Sequence, residues 1–268
     1  MPRRVVVPTK TDRGSELSTP KKTDREDEFS TPKKTDRAAE SSSPVQGLLL
    51  VDKPAGMTSH DVVQHVRRIY GERSIGHLGT LDPFATGLLV LLLGRATRLA
   101  TFIDAEPKVY EATIRFGTET DSDDSTGNVI RTATPPREAD VRSAVKTLTG
   151  EISQVPPAYS AKSVDGTRAY DAARRGEPLD LAASTVTVHS WELGNLGEDS
   201  LSAVITCSGG TYIRALARDL GRLTESAAHL ESLRRTSAGT FDVRDAATLD
   251  ALAASPVRVR ALRVVPDA

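Results

Sequence analysis

One aspartate in a glycine-rich segment is the strongest candidate for chemistry in this chain. Asp82 lies within residues 76–87, GHLGTLDPFATG, and Pro83 follows it directly. Proline disfavours helical backbone at the residue before it, so the segment is predicted to be an extended or turning loop whose carboxylate faces a cleft. Loops carried by a rigid strand often hold catalytic groups. Taken alone, an Asp-Pro pair more often marks an ordinary turn.

Arginines form a second candidate group. Arg214, Arg218 and Arg222 are spaced four residues apart, so they share one face of the helix predicted after a Gly-Gly turn, and Arg234 and Arg235 add charge further along. Guanidinium groups beside a helix N-terminus suit phosphate contacts. The same spacing is equally compatible with a solvated face whose arginines pair with Asp and Glu.

Aromatic residues are scarce, which draws attention to two of the tyrosines. The chain has five Tyr, five Phe and one Trp, and Tyr110 and Tyr212 are candidates for contact with a nucleobase. An aromatic ring beside a basic groove can stack on a nucleobase, typically for about 1–3 kcal/mol per base. Packing in the core is the commoner use of such residues.

Metal and cofactor chemistry find no support in the motifs. The histidines show no zinc-ligand spacing, and no phosphate-binding or dinucleotide-binding glycine motif is present. Asp121, Asp123 and Asp124 resemble a calcium loop but lack its glycine and terminal glutamate, so they are predicted to form a solvated acidic loop. Cys207 is the single cysteine and is predicted to be buried in a strand. We therefore expect neither a metal nor a cofactor.

Size and composition predict a folded core that follows a tail. The 268 residues carry a net charge of -1, so nucleic acid would have to be attracted by a local basic patch rather than by the whole protein. Residues 1–46 contain Lys-Thr-Asp-Arg three times at twelve-residue spacing and are predicted to be disordered; weak RNA tethering or phosphorylation is the alternative role. No apolar run reaches membrane-spanning length and no signal-peptide pattern is found, which predicts a soluble cytoplasmic protein.

Local patterns predict the elements that must position these groups. Strands are expected at 47–54, 88–93, 108–116, 185–193 and 201–208, and helices at 59–70, 96–105, 139–148, 169–175 and 211–220. The first helix has Thr58 or Ser59 as its N-cap and ends at Gly71. Strands and helices without a regular βαβ repeat predict an α+β fold with a mixed, mainly antiparallel sheet and flanking helices.

Six segments in order resemble one family, the bacterial tRNA pseudouridine-55 synthases of the TruB type. They are VDKPAGMTS at 51–59, GHLGTLDPFATG at 76–87, KVYEA at 108–112, VPPAYSA at 155–161, CSGGTYIR at 207–214 and HLESLRRT at 229–236. They span about residues 47–245. The resemblance implies a pseudouridine-synthase-type sheet.

The resemblance also assigns roles to residues. It implies that Asp82 is the catalytic aspartate of a uridine isomerase that breaks the C1′–N1 bond, turns the uracil and rejoins it through C5 without a cofactor. Whether Asp82 adds covalently or takes the 2′ proton is left open. Arg214 is expected to pair with Asp82 and keep it ionised, and Tyr110 to stack on the base and handle the C5 proton. The remaining implied residues are Tyr212 and Leu233 in the pocket, His77 on the RNA, and Lys53 and Pro54 as supports; Arg218, Arg222 and Arg234 are expected to contact RNA by their charge.

The expected partner is the T-arm of tRNA, bound by a monomer with no obligate protein partner and no membrane. The catalytic domain is placed at 47–245 and a short C-terminal extension at 246–268, with the family's usual PUA-type RNA-binding domain absent or truncated. The alternative function is a tRNA-binding folding factor with catalysis secondary. A synthase acting on other RNAs or through guide RNA is a further reading.

Overall fold

The computed structural model describes residues 6–8, 45–164, 166–257, 259–260 and 262–264. Most of the predicted repeat-bearing tail therefore lies outside the described residues, and its disorder stays a prediction. Of its first eight residues, Val6–Pro8 form a strand that pairs antiparallel with Leu262–Val264.

The helices and strands alternate without a regular repeat. The strands are β1 Val6–Pro8, β2 Gly47–Lys53, β3 Ile75–Leu78, β4 Thr86–Leu93, β5 Lys108–Phe116, β6 Thr118–Thr120, β7 Val129–Thr132, β8 Gly150–Gln154, β9 Ser163–Val164, β10 Thr167–Arg168, β11 Ser184–Leu196, β12 Ser200–Cys207, β13 Ala228–Ala238, β14 Phe241–Asp242, β15 Ala247–Thr248 and β16 Leu262–Val264. The α-helices are α1 Ser59–Tyr70, α2 Glu138–Thr147, α3 Ala169–Arg174, α4 Ile213–Leu223 and α5 Leu249–Ala254, and Gly94–Phe102 and Val243–Asp245 are 3-10 helices.

A ten-stranded sheet organises the fold. Its order is β15-β2-β4-β13-β5-β12-β11-β8, with β3 paired to β4 and β14 paired to β13. The β4–β13 and β15–β2 pairs are parallel and the other pairs are antiparallel. This confirms the predicted α+β fold with a mixed, mainly antiparallel sheet.

The sheet consists of two halves that meet along a narrow seam between β4 and β13. One half-sheet contains β15, β2, β4 and β3, and the other contains β13, β14, β5, β12, β11 and β8. Among the described residues, Thr86 pairs with Arg234 and Gly87 pairs with Arg235, and these two pairs make up the contact. Gly87 has φ +100°, and a β-carbon there would collide with the backbone of Arg235. Only glycine therefore allows the halves to approach this closely.

Helix α1 shows how local sequence sets an element. Thr58 caps it, accepting from the Asp61 amide while the Asp61 carboxylate accepts from the Thr58 amide, and Gly71 ends it in the left-handed conformation. Val62 and Val66 are fully buried against β2 and β4. The predicted limits of this helix are confirmed.

The face of β5 that carries its even-numbered residues builds the core that faces the candidate site. Tyr110, Ala112, Ile114 and Phe116 alternate with more exposed residues and pack against α2 and α4. The expected strand at 108–116 is confirmed to the residue. Cys207 is fully buried on β12, as predicted, and burial raises the pKa of its thiol to about 11.

Other elements differ from the sequence prediction. The helix expected at 96–105 is a 3-10 helix at Gly94–Phe102, and α4 runs through Gly221 to Leu223. A β-carbon at Gly221 would lie 2.5 Å from the Ala228 nitrogen, so glycine allows α4 to pack tightly against β13. Strand β13 itself has no counterpart in the predicted elements.

Candidate active site

The loop that carries Asp82 lies at the seam between the two half-sheets, between β3 and β4. Ser59 holds it from α1: its hydroxyl accepts from the Leu81 amide at 2.9 Å and donates to the Leu81 carbonyl at 3.1 Å. The Pro83 carbonyl accepts from the Gly56 amide at 2.8 Å. Backbone groups on both sides of Asp82 are thus fixed, so its carboxylate is presented from a rigid support.

Lys53 supports the same loop from β2. Its side chain is fully buried, and its ammonium donates to the carbonyls of Met57 at 2.7 Å, Pro54 at 2.9 Å and Pro83 at 3.2 Å. Burial lowers the pKa of Lys53 to about 8, while the negative charge of Asp82 acts in the opposite direction. The structural role expected for Lys53 agrees with this placement.

Asp82 and Arg214 form a two-point ion pair. Arg214 Nε donates to Asp82 Oδ2 at 2.9 Å and Nη2 donates to Oδ1 at 3.1 Å. The Arg214 side chain is 4% exposed and that of Asp82 is 34% exposed. Further bonds of 2.8 Å to the carbonyls of Ser122 and Tyr159 fix the guanidinium. The carboxylate is therefore oriented by the two parallel N–H donors of a buried guanidinium, here called the Arg214 fork, and it remains partly open to a ligand.

The predicted pocket residues surround this pair. Tyr110 and Leu233 are buried in one cluster with Leu81, on neighbouring strands β5 and β13. Burial raises the pKa of Tyr110 and of Tyr212, and the negative charge of Asp82 acts in the same direction on both. The structure brings the predicted pocket together; the role of each residue in catalysis stays a prediction.

Tyr212 is held through its backbone just before α4. The Gln154 side chain accepts from the Tyr212 amide at 2.8 Å and donates to its carbonyl at 3.1 Å. Gln154 is itself buried at the end of β8. This clamp fixes the start of the helix that carries Arg214, and nothing in the sequence pattern had singled out Gln154.

On α4, the prediction that Arg218 contacts RNA is contradicted by its burial, whereas RNA contact by Arg222 stays a prediction. Arg218 is buried, and its guanidinium donates to Asp123 at 2.8 Å, to Asp219 at 2.9 Å and to the Val155 carbonyl at 2.8 Å. Its guanidinium is held inside the protein by these contacts, so it does not lie on a surface that RNA could reach. Arg222 is half-exposed and pairs with buried Glu119.

The acidic segment before β7 is accordingly not the solvated loop expected from sequence. Asp123 and Asp124 are buried, and Asp124 lies 3.5 Å from Arg214. Burial raises the pKa of Asp123 to about 6, against the opposing charges of Arg218 and Arg214. These carboxylates are the partners that hold the arginine face of α4, a pairing that sequence spacing cannot reveal.

The other residues expected to contact RNA lie at the edges of the loop. His77 is half-buried on β3, and burial lowers its pKa. Arg234 is partly exposed on β13 and forms a two-point pair with Asp52, at 2.7 and 3.0 Å. Both stay candidates for RNA contact.

A cavity of about 910 Å³ opens beside the loop. Pro83, Phe84, Leu233 and Arg234 line it together with polar residues of β5, β11 and β12, whereas Asp82 does not. It lies on the sheet face of Glu111, opposite Tyr110, so we do not take it as the pocket for the reacting group.

Within the described residues, no cluster of His, Cys, Asp and Glu could hold a metal ion, and no helix is long and apolar enough to cross a membrane.

Comparisons with known proteins agree on one family. Residues 67–213 match the N-terminal domain of the TruB family pseudouridylate synthases, and residues 214–263 match the tRNA pseudouridylate synthase B C-terminal domain. The tRNA pseudouridine synthase B of Thermobifida fusca is 51% identical over 78% of this chain and 74% of its own length. That of Aromatoleum aromaticum is 49% identical over 83% of this chain and 72% of its own length.

Solved structures show the same similarity at greater distance. The chain resembles one in a Cbf5-Nop10-Gar1 complex, with 28% identity and a TM-score of 0.61 over 78% of this chain and 54% of that one. A chain of an H/ACA RNP bound to a substrate RNA containing 2′-deoxyuridine has 26% identity and a TM-score of 0.58 over 78% and 52%. The chain thus spans about half the length of these structural relatives.

Proposed function

This chain belongs to the TruB family of pseudouridylate synthases, and we propose on that premise that it converts the T-loop uridine of tRNA to pseudouridine with Asp82 as its catalytic residue. The observation that carries the proposal is the Asp82–Arg214 pair: an oriented carboxylate, one third exposed, in a rigid loop at the centre of a sheet. The reaction is an isomerisation in which the C1′–N1 bond breaks and a C1′–C5 bond forms.

The chemistry needs an ionised carboxylate at the sugar. Asp82 either adds to C1′ or takes the 2′ proton, and both routes require the negative charge that Arg214 stabilises. The two-point pair holds the carboxylate plane still, so little reorganisation is needed as the glycosidic bond breaks. Tyr110, buried beside the loop, is proposed to stack on the uracil and to take the proton from C5.

The substrate must leave its base stack to reach this site. C1′ and C5 of a T-loop uridine are hidden in folded tRNA, so the nucleotide has to flip out at a cost of a few kcal/mol. Buried Leu233 and partly buried Tyr212 are proposed to contact the flipped base. His77 beside the loop and Arg234 on the Glu111 face of the sheet are proposed to contact the RNA backbone, since recognition of folded RNA relies on shape and phosphate contacts.

Conversion of an unmodified tRNA transcript by Asp82→Asn tests the catalytic assignment. We expect this variant to lose at least about 1,000-fold in single-turnover rate, because the amide cannot act as nucleophile or base, while tRNA affinity stays within about threefold. Asp250→Asn, at an exposed position on α5, is the matched control and should keep the wild-type rate.

Three results would contradict parts of the proposal. Near wild-type conversion by Asp82→Asn would remove Asp82 from the chemistry. Tight tRNA binding by the wild-type protein without conversion would favour the folding-factor role. Conversion at a position outside the T-loop, found by mapping pseudouridine along the transcript, would change the substrate site.

The synthase is further proposed to act as a monomer without an obligate protein partner. Purified protein mixed with one equivalent of tRNA should sediment as a one-to-one complex and should be active in that form. A complex containing two protein chains per tRNA would contradict this.

A further inference from the structure

Arg235 on β13 is a buried cation that the reaction as described does not use. It is 1% exposed and heads the largest fully buried side chains of the described structure. Its Nε donates to the Leu88 carbonyl at 2.8 Å, and Nη2 and Nη1 donate to the carbonyls of Gly79 at 3.1 Å and Thr80 at 3.5 Å. Within the described residues, no carboxylate lies within salt-bridge distance of it, in contrast to Arg214, Arg218 and Arg222.

A buried guanidinium without a counter-ion is costly, so its position calls for a function beyond packing. Removing a cation from water carries a penalty of several kcal/mol that carbonyl acceptors offset only in part. An apolar side chain of similar volume would fill the same space without that penalty. The contacts of Arg235 show what the charge is placed to do.

The carbonyl partners of Arg235 enclose the catalytic loop. Gly79 and Thr80 come just before Leu81 and Asp82, and Leu88 follows the loop on β4. One rigid, planar group therefore ties the entry and the exit of the loop to β13. This link crosses the seam between the half-sheets, next to the close contact at Gly87.

The same guanidinium acts on Tyr110. The two residues are direct cross-strand partners in the β13–β5 register. Burial raises the pKa of Tyr110, and the positive charge of Arg235 opposes that rise. Its positive charge also contributes, after burial, to the lowered pKa of His77 and of Lys108.

We propose that Arg235 is a positioning residue that aligns the Asp82 loop with Tyr110 and stabilises negative charge on the Tyr110 oxygen. This inference rests on the proposed function. In the last step, the Tyr110 phenol first loses its proton to water and its oxygen then takes the C5 proton. The C5–H electron pair forms the C5=C6 bond, the C6=N1 pair moves to N1, and N1 takes up the proton that the phenol released to water. Arg235 does not contact the substrate; it acts through the phenol and the loop.

Arg235→Met and Arg235→Lys test the inference in single-turnover conversion at saturating protein. Arg235→Met should lower the rate by about 30-fold with tRNA affinity within about twofold, because the side chain does not reach the surface. Arg235→Lys keeps the charge and should recover part of that loss. The pH at which the rate increases should also be higher for Arg235→Met than for the wild-type protein. The pH profile of Arg235→Lys should stay close to that of the wild-type protein. Arg115→Met, on β5 and partly exposed in a surface ion-pair network, is the control that should match the wild-type protein.

A double-mutant cycle with Tyr110→Phe separates positioning from general stability. Arg235→Lys should cost less than about twofold in the Tyr110→Phe background if the two residues act as one unit. Additive losses, an unchanged pH profile in Arg235→Met, or equal losses of rate and tRNA affinity would each overturn the inference. If Arg235→Met does not fold, Arg235→Lys and the cycle decide.

The same experiments distinguish failure of the proposed function from failure of the Arg235 role. Wild-type rates in both Asp82→Asn and Tyr110→Phe would overturn the proposed function itself. Loss of rate in those two variants with wild-type behaviour of both Arg235 variants would overturn only the positioning role.

Discussion

Arg214→Lys is the most informative single substitution at this site because it keeps the charge and removes the fork. Arg214 makes four directed bonds, two to Asp82 and one each to the carbonyls of Ser122 and Tyr159. A lysine ammonium is a point donor on a flexible chain and cannot make the planar two-point contact. The carboxylate of Asp82 would stay near a cation but would lose its fixed plane.

The expected loss follows from the contacts. A hydrogen bond to a charged group is worth about 1.5–3 kcal/mol, and one of the two bonds to Asp82 must be lost. Because the Asp82 side chain is 34% exposed, water replaces part of the lost contact. A net loss of about 2 kcal/mol in the transition state corresponds to a rate about 30-fold lower.

The assay is single-turnover conversion of a T-loop RNA at saturating protein, with affinity measured separately by filter binding. Affinity should change by less than about threefold, since Arg214 is buried and does not face the RNA. Arg115→Lys is the matched control, because it makes the same exchange in a partly exposed ion-pair network on β5. A rate within about threefold of the wild-type protein would refute the view that the fork orients the carboxylate.

Three further predictions concern the support of the site. Arg218→Met should lower the free energy of unfolding by about 3–5 kcal/mol in chemical denaturation, since Asp123 is left buried and unpaired, and should leave the salt dependence of tRNA binding unchanged; a flatter salt dependence would restore Arg218 to the RNA surface. Gly221→Ala should cost about 1–3 kcal/mol in thermal unfolding, because its β-carbon would lie 2.5 Å from the Ala228 nitrogen, and an unchanged melting temperature would contradict that packing. The pKa of Lys53 is about 8 in the folded protein against an ordinary value of 10.5, so the unfolded chain binds more protons between these values. Relative to Lys53→Met, the free energy of unfolding of the wild-type protein should therefore rise with pH by up to about 1.4 kcal/mol per unit from pH 8 towards 10.5, and parallel pH dependences of the two proteins would contradict this.

Elements whose signals are local could be predicted from sequence. The capping box of α1 and its terminal glycine lie within a few residues of the helix, and β5 alternates without interruption. Strand β13 was missed because bulges near Glu231 and Thr236 break its period-two pattern. The sequence shows its paired arginines as local charge and as part of one segment that resembles the family, whereas their position in a buried strand is what gives Arg235 its contacts.

Long-range pairings lie beyond pattern reasoning. Asp82 and Arg214 are 132 residues apart, and Arg218 and Asp123 are 95 apart. Equal spacing on α4 could indicate a phosphate surface or a set of internal ion pairs, because spacing reports a shared face and not what covers it. The resemblance to a family supplied the first pairing, whereas only the folded chain shows the second.

The seam between β4 and β13 makes the alignment of the reactive groups a property of two bodies rather than of one. Asp82 is supplied by the half-sheet of β3 and β4, and Tyr110 and Leu233 by the half-sheet of β5 and β13. In the described structure, two residue pairs in the β4–β13 ladder and the Arg235 side chain hold these bodies in register, so a small shear between them moves the carboxylate directly against the phenol. The effects of substitutions should therefore differ between the two regions. Substitutions inside either half-sheet should change the stability of the fold, whereas substitutions along the seam should misalign the reactive groups in a protein that is still folded.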